Sequence, residues 1–248
     1  MKILLSLILS AVFLNAAFGY TPEAGSTAEL AVNSGWGTIP DPDLPNVLIL
    51  GDSISIGYTL QVKALLKGKA NVFRPNKVTK PENCQGTING VKHIDRWLSV
   101  QKWDVIHFNW GLHDLKRVKY LDNGKMVNST EASDPYQATV EQYRENMEGL
   151  VAKLKATNAK LIFATTTPVA ANSSGPLREV DGPIRYNAAA LEIMKANSIP
   201  VNDLYSFCLP QLEEWQAPDG VHFTRQGSVD LAEKVAAGIG LLLPDSGQ

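Results

Sequence analysis

Asn46-Val47-Leu48-Ile49-Leu50-Gly51-Asp52-Ser53-Ile54 joins an apolar strand, a glycine turn and a polar helix start in one short stretch. Val47–Leu50 is a continuous apolar run, the pattern of a strand buried on both faces. Gly51 permits a tight turn, and Ile54, Tyr58, Val62, Leu65 and Leu66 then recur at helical spacing. Strand, turn and helix in that order form the opening unit of an alternating α/β fold.

The alternation continues outward from this stretch. Asn71–Phe73 reads as a strand, Gly90–Leu98 as a helix and Asp104–Asn109 (DVIHFN) as a strand. Val140, Tyr143, Met147, Leu150, Val151 and Leu154 trace one helical face, followed by a strand at Lys160–Thr165. Pro183–Asn197 reads as a helix, Pro200–Asn202 as a short strand and Gln226–Leu242 as a closing helix. Such a chain is expected to form a parallel sheet covered on both faces, joined by right-handed crossovers. Sites in these sheets lie beyond the carboxyl ends of the strands. Ser53, Asn109–Asp114 and Asp219–His222 all follow strands in this reading, so three distant segments are expected to converge.

Composition suits one domain with a sizeable core: 248 residues, 44% hydrophobic and 19% charged. Residues 1–19 (MKILLSLILSAVFLNAAFG) read as a signal peptide, with Lys2 before an apolar run and cleavage expected after Gly19. Export would make the protein secreted or periplasmic. The apolar run is short for a bilayer span, and the mature chain has no other candidate segment. Residues 20–45 are rich in Pro, Gly and Ser and read as an N-terminal surface arm, leaving 46–248 as the folded domain. The formal net charge is −2, one unit more negative once Lys2 is removed, and no basic patch suggests nucleic acid as a partner. Cys84 and Cys208 would enter an oxidising compartment. They could close a disulfide worth on the order of 4–5 kcal/mol, or remain two buried thiols.

Two motifs carry chemistry. Ser53 sits at a helix start, where backbone N–H groups favour developing negative charge. Asp219-Gly220-Val221-His222 places a carboxylate three residues before an imidazole, a spacing that lets the acid orient the base. Singly, each has a plainer explanation: Asp52 and Ser53 as helix-cap residues, and Asp219 as a turn aspartate beside a structural histidine. Together they supply the nucleophile, base and orienting acid of a serine hydrolase. Gly-x-Ser-x-Gly, the nucleophile elbow of the α/β-hydrolases, is absent from the sequence.

With Asn83-Cys84-Gln85-Gly86-Thr87 and Gly111-Leu112-His113-Asp114 between them, these motifs resemble the four sequence blocks of the SGNH (GDSL-type) esterase family. The resemblance covers about Asn46 to Leu243. It implies a three-layer α/β/α sandwich around a five-stranded parallel sheet, flavodoxin-like in layout. It also implies ester hydrolysis through an acyl-enzyme, with no metal and no organic cofactor. Ser53 would attack, His222 would accept and return the proton, and Asp219 would orient His222. Ser53 N–H, Gly86 N–H and the His113 side chain would form the oxyanion hole, with Gly90 competing for the role of Gly86. The family has asparagine where His113 stands; an imidazole N–H can also donate, but the strength and pH behaviour of the hole then depend on this histidine.

The expected substrate is a small-molecule or glycan ester, with O-acetyl groups on carbohydrate foremost, since export meets glycans and no long apolar lid is evident. Alternatives are a catalytically weak or inactive carbohydrate-binding protein on the same fold and a lipid or general carboxylesterase. A metal-dependent hydrolase using His113, Asp114, Asp219 and His222 is weaker, because no helical metal spacing is present. Trp110 could wall the acyl pocket, stack on a sugar or lie in the core. Tyr120–Val127, whose Asn123-Gly124 pair suits a type I′ hairpin, and Thr165–Pro183 are candidate substrate walls. His93 and His107 read as structural.

Overall fold

The structure is a computed structural model that describes residues 23–244. The signal segment lies outside the described residues. The elements in chain order are α1 (Thr27–Asn33), β1 (Asn46–Leu50), α2 (Ser53–Leu65), β2 (Asn71–Phe73), β3 (Asn76–Lys77), β4 (Lys80–Pro81) and α3 (Thr87–Leu98). There follow β5 (Val105–Phe108), β6 (Val118–Tyr120), β7 (Met126–Asn128), α4 (Val140–Lys155), β8 (Lys160–Ala164) and α5 (Gly182–Ala196). The chain closes with β9 (Val201–Asn202), α6 (Leu204–Cys208), a 3-10 turn at Leu209–Gln211, α7 (Leu212–Trp215) and α8 (Arg225–Gly240).

Five strands form one parallel sheet in the order β2-β1-β5-β8-β9. Strand alternation divides its side chains between two cores. Leu48, Leu50, Ile106, Phe108, Leu161 and Phe163 pack with the buried faces of α3, α4 and α5. Val47, Ile49, Val72, Val105 and Ala164 pack with those of α2 and α8. Each fully buried Leu, Ile or Phe contributes about 1.5–3 kcal/mol relative to exposure, so the sheet is clamped from both sides as the sequence implied. The fold is the expected three-layer α/β/α sandwich. Cys84 and Cys208 are buried free thiols, one in each core, with the sheet between them.

Several details depart from the sequence reading. The N-terminal arm contains a helix, α1, capped by Ser26, whose Oγ accepts from Glu29 N–H at 3.1 Å. None of its residues is buried, so it lacks the apolar period that would have marked it. The chain after it docks onto the body through Lys63 Nζ, which donates to Gly35 O and Gly37 O at 2.8 Å each. Helix α3 begins at Thr87 rather than Gly90, because Asp114 Oδ1 caps it from a distant loop by accepting from Thr87 N–H at 2.8 Å. The β6–β7 hairpin is not closed by a type I′ turn. Gly124 alone takes positive φ (75°), Gly124 N–H donates to Leu121 O at 2.8 Å, and Leu121 N–H donates to Lys125 O at 2.9 Å. That is a type I turn ending in a glycine bulge, the three-residue hairpin solution. Finally, β9 does not lead straight to the Asp219 loop, since the turns from Leu204 to Trp215 intervene.

Candidate active site

The site is built first by the turn after β1. Asp52 is the N-cap of α2: its Oδ1 accepts from Ile54 N–H at 2.9 Å, and Ser53 becomes the first helical residue. Ser53 N–H has no partner among the described residues, as helix starts leave it. Arg74, buried at the end of β2, clamps this turn. Its Nη2 donates to Gly51 O at 2.6 Å and Glu82 O at 3.1 Å, and its Nη1 to Ser55 Oγ at 2.7 Å. Burial raises the Asp52 carboxyl above its ordinary range, against the pull of the Ile54 N–H and Arg74.

His222 reaches this turn from the other end of the chain. Its Nε2 lies 2.8 Å from Ser53 Oγ, and its Nδ1 lies 2.6 Å from Asp219 Oδ2. Asp219 Oδ1 also accepts from Val221 N–H at 3.0 Å and His222 N–H at 2.9 Å, which fixes the loop as well as the ring. Burial acts to raise the Asp219 carboxyl, but the hydrogen bonds from the His222 side chain and the two backbone N–H groups win and hold it near 2. The acid is therefore ionised throughout the neutral range, and His222 Nδ1 carries the proton. Nε2 is left as an acceptor aimed at the serine hydroxyl.

The oxyanion candidates divide as follows. Gly86 is the N-cap of α3, and its N–H has no partner among the described residues. A Cβ at Gly86 would fall 2.8 Å from Gln137 Nε2 and 3.0 Å from Asp114 Oδ1, so the position is closed to larger residues. Gly90 N–H is spent inside the helix, donating to Gly86 O at 3.0 Å, which removes the competing assignment. Gly111, with φ 152°, lets the next segment pass so close to Thr166 that a Cβ would lie 2.2 Å from Thr166 Oγ1. Beyond it, His113 is pressed against the protein. Burial first, then the charges of Lys116, Arg178 and His222, push its imidazole down to about 3. It is neutral at any working pH. Its Nδ1 is buried without a partner, which favours the tautomer with the proton on Nε2.

Other expectations resolve differently. Trp110 is fully buried in the α3–α5 core, so it neither walls a pocket nor offers a stacking face. Asp114 is spent on Thr87 N–H and Oγ–H, and burial raises it to about 7. Among the described residues no three His, Cys, Asp or Glu side chains form a metal-binding group, so His113, Asp114, Asp219 and His222 do not assemble as a ligand set. His107 is fully buried on β5, edge-on to Tyr58, with neither ring nitrogen hydrogen-bonded. Sequence reasoning missed Arg74 and Arg178. Arg74 follows β2 directly, and an arginine at a strand end is a signal of a kind. Arg178, in a Gly/Ser-rich loop, offers none.

The Thr165–Pro183 segment bridges the two halves of the site. Ala170 N–H donates to Gly220 O, and Ser174 N–H to Asp219 O, at 2.9 Å each. At its far end Arg178 Nε donates to Leu112 O at 3.0 Å, beside His113.

Residues 49–228 match the GDSL-like lipase/acylhydrolase family, and the chain belongs to it. It is a serine ester hydrolase of the SGNH type. The fold is shared with the lipase/acylhydrolase from Enterococcus faecalis, at TM-score 0.65 and 22% identity, covering 82% of this chain and 100% of that one. An acetyl xylan esterase, AlAXEase, matches at TM-score 0.60 and 17% identity over 78% of this chain and 99% of its own. An alpha/beta hydrolase enzyme from the metagenome of Lake Arreo, Spain, matches at TM-score 0.62 and 16% identity, covering 81% and 97%. At these identities the likeness is one of fold. A search of curated proteins finds no match.

Proposed function

We propose that this chain is an exported esterase that removes small acyl groups, acetyl foremost, from carbohydrate, using Ser53, His222 and Asp219 as its triad. The observation that carries the proposal is the unbroken relay from Ser53 Oγ through His222 to Asp219, at 2.8 and 2.6 Å. His222 Nε2 takes the hydroxyl proton as Ser53 Oγ attacks the ester carbonyl. The tetrahedral oxyanion is met by Ser53 N–H, Gly86 N–H and neutral His113 Nε2–H. Collapse expels the alcohol, which takes the proton from His222, and leaves an acyl-serine. Water, deprotonated by the same Nε2, then releases the acid.

The preference for a short acyl group on carbohydrate rests on two supports. The triad side chains are open to solvent, 48% for His222 and 39% for Asp219, a rim accessible to a polymer. A solved relative in fold is described as an acetyl xylan esterase. Export rests on residues 1–19, and N-terminal sequencing of the secreted protein should begin at Tyr20.

The test combines labelling and a substrate series. A fluorophosphonate probe should modify wild type but not a folded Ser53→Ala variant. p-Nitrophenyl acetate should turn over faster than the octanoate, with acetate released from an acetylated glycan. Faster octanoate turnover with no glycan product would move the protein to a lipid or general carboxylesterase, and labelling that persists in Ser53→Ala would remove Ser53 from the mechanism.

A further inference from the structure

The oxyanion segment is flanked by two cations, Arg178 and Lys116, that form no ion pair among the described residues. Arg178 is partly buried where the 165–183 segment meets Leu112, and only its Nε is well bonded, to Leu112 O at 3.0 Å. Its Nη1 makes a marginal contact with Pro176 O at 3.5 Å, and its Nη2 has no partner among the described residues. Lys116 is 9% exposed as a residue, and its Nζ likewise has no partner among the described residues. Neither forms an ion pair, whereas neighbouring arginines do: Arg117 pairs with Glu179 at 2.5 Å, and Arg185 with Asp181 at 3.1 Å.

The surroundings do not supply the missing charge. Asp52 and Asp219 lie within the electrostatic reach of Arg178, and Asp114, bonded to Thr87 and raised to about 7 by burial, within that of Lys116. But Asp52 faces its own helix, and Asp219 is committed to His222. Burial disfavours the charged form of all three groups, and the charge of Arg178 adds to this at Lys116, as do the charges of Lys116 and Arg178 at His113. Holding desolvated positive charge beside a reacting centre without a partner costs stability, and a bound anion reverses that cost. A guanidinium anchored at Nε with Nη2 left without a partner is suited to a carboxylate, which it can meet in its own plane.

We propose that Arg178, assisted by Lys116, forms an anion subsite beside the oxyanion hole and selects esters that carry a carboxylate close to the scissile bond, such as an acetylated sugar acid. The inference rests on the hydrolase reading above and narrows its substrate class. A neutral glycan ester would leave the Arg178–Lys116 pair unmatched, while an acidic one would complete it.

The probes are p-nitrophenyl acetate and its ring-carboxylated analogue, each rate divided by its rate of hydrolysis by hydroxide. Wild type should favour the charged ester in kcat/KM by roughly 10- to 100-fold, chiefly through KM, and the preference should shrink with added salt. Arg178→Met should bring the ratio near one, Lys116→Met should lower it in part, and Arg178→Lys should restore part of it. Any general damage to the oxyanion segment affects both esters and cancels from the ratio. Acetylated galacturonan against acetylated xylan then distinguishes a polymeric sugar acid from a small carboxylated ester as the source of the anion. A wild-type ratio near one, or a ratio unchanged in Arg178→Met, would overturn the subsite and leave the hydrolase intact. A folded wild type that turns over neither ester and resists the fluorophosphonate would instead overturn the hydrolase reading, and the subsite with it.

Discussion

Replacing Asp219 by Asn tests whether the carboxylate acts by fixing the His222 tautomer. Asp219 makes two kinds of contact through different oxygens. Oδ1 accepts from Val221 N–H and His222 N–H at 3.0 and 2.9 Å, while Oδ2 accepts from His222 Nδ1–H at 2.6 Å. An asparagine keeps the backbone contacts by placing its own oxygen at the Oδ1 position, so the loop should survive. Its NH2 then faces Nδ1 and requires that nitrogen to be an acceptor. The imidazole proton moves to Nε2, where it points at Ser53 Oγ, and the base can no longer take the hydroxyl proton. In buried triads this exchange costs about 10⁴ in kcat. Here the two side chains are 39% and 48% exposed, and water can stabilise the correct tautomer for a fraction of the time. The expected loss is therefore roughly 10²- to 10⁴-fold. The assay is burst and steady-state hydrolysis of p-nitrophenyl acetate by Asp219→Asn, with the urea midpoint as a control for folding. A folded variant within about tenfold of wild type would refute the reasoning, because it would show that His222 finds its tautomer unaided.

Three further outcomes follow from the same structure. His113→Ala should lower kcat by roughly 10²- to 10³-fold with a smaller effect on KM, while His113→Asn should retain much of it. Because His113 sits near 3, it adds no step to the pH–rate profile between pH 5 and 8, and a step lost on going to Asn would contradict this. His107, with its imidazole pushed down from 6.5 to about 4 by burial, contributes stability that is full above pH 6.5 and is lost as pH falls through 4. Between pH 7 and 4.5 the loss is about 2 kcal/mol. His107→Leu should be less acid-sensitive by that amount in urea titrations, and parallel curves for the two proteins would rule the effect out. Cys84 and Cys208 should be silent to a thiol reagent in the native state and titrate as two thiols in denaturant without reductant; finding none would mean that they are joined.

Much of the layout was legible because burial on both faces writes continuous apolar runs. Val47–Leu50 and DVIHFN at Asp104–Asn109 could be read as central strands from side-chain type alone. The helical faces of α4 and α8 were legible for the same reason, since their apolar residues recur at the period of the helix. Ser53, Asp219 and His222 stood out because each belongs to a short local motif. Local signals failed where the deciding partner is far away in sequence. The start of α3 depends on Asp114, and the choice between Gly86 and Gly90 depends on which N–H the helix consumes. Trp110 gave the same signal as a pocket aromatic or a core one, and only packing against α3 and α4 resolved it.

By itself the sequence determined the alternation of strand and helix, the two faces of the sheet and the two short motifs that hold Ser53, Asp219 and His222. These follow from periodicity and from residue chemistry within a few positions of one another. Tertiary structure alone decided that Ser53 and His222, 169 positions apart, meet at 2.8 Å. It also decided that the thiols lie in separate cores, that His113 is held neutral, and that Arg178 stands beside it with no ion pair among the described residues. Distances, desolvation and unpaired charge are properties of neighbours in space, and a linear chain records them only where the fold keeps those neighbours close in sequence.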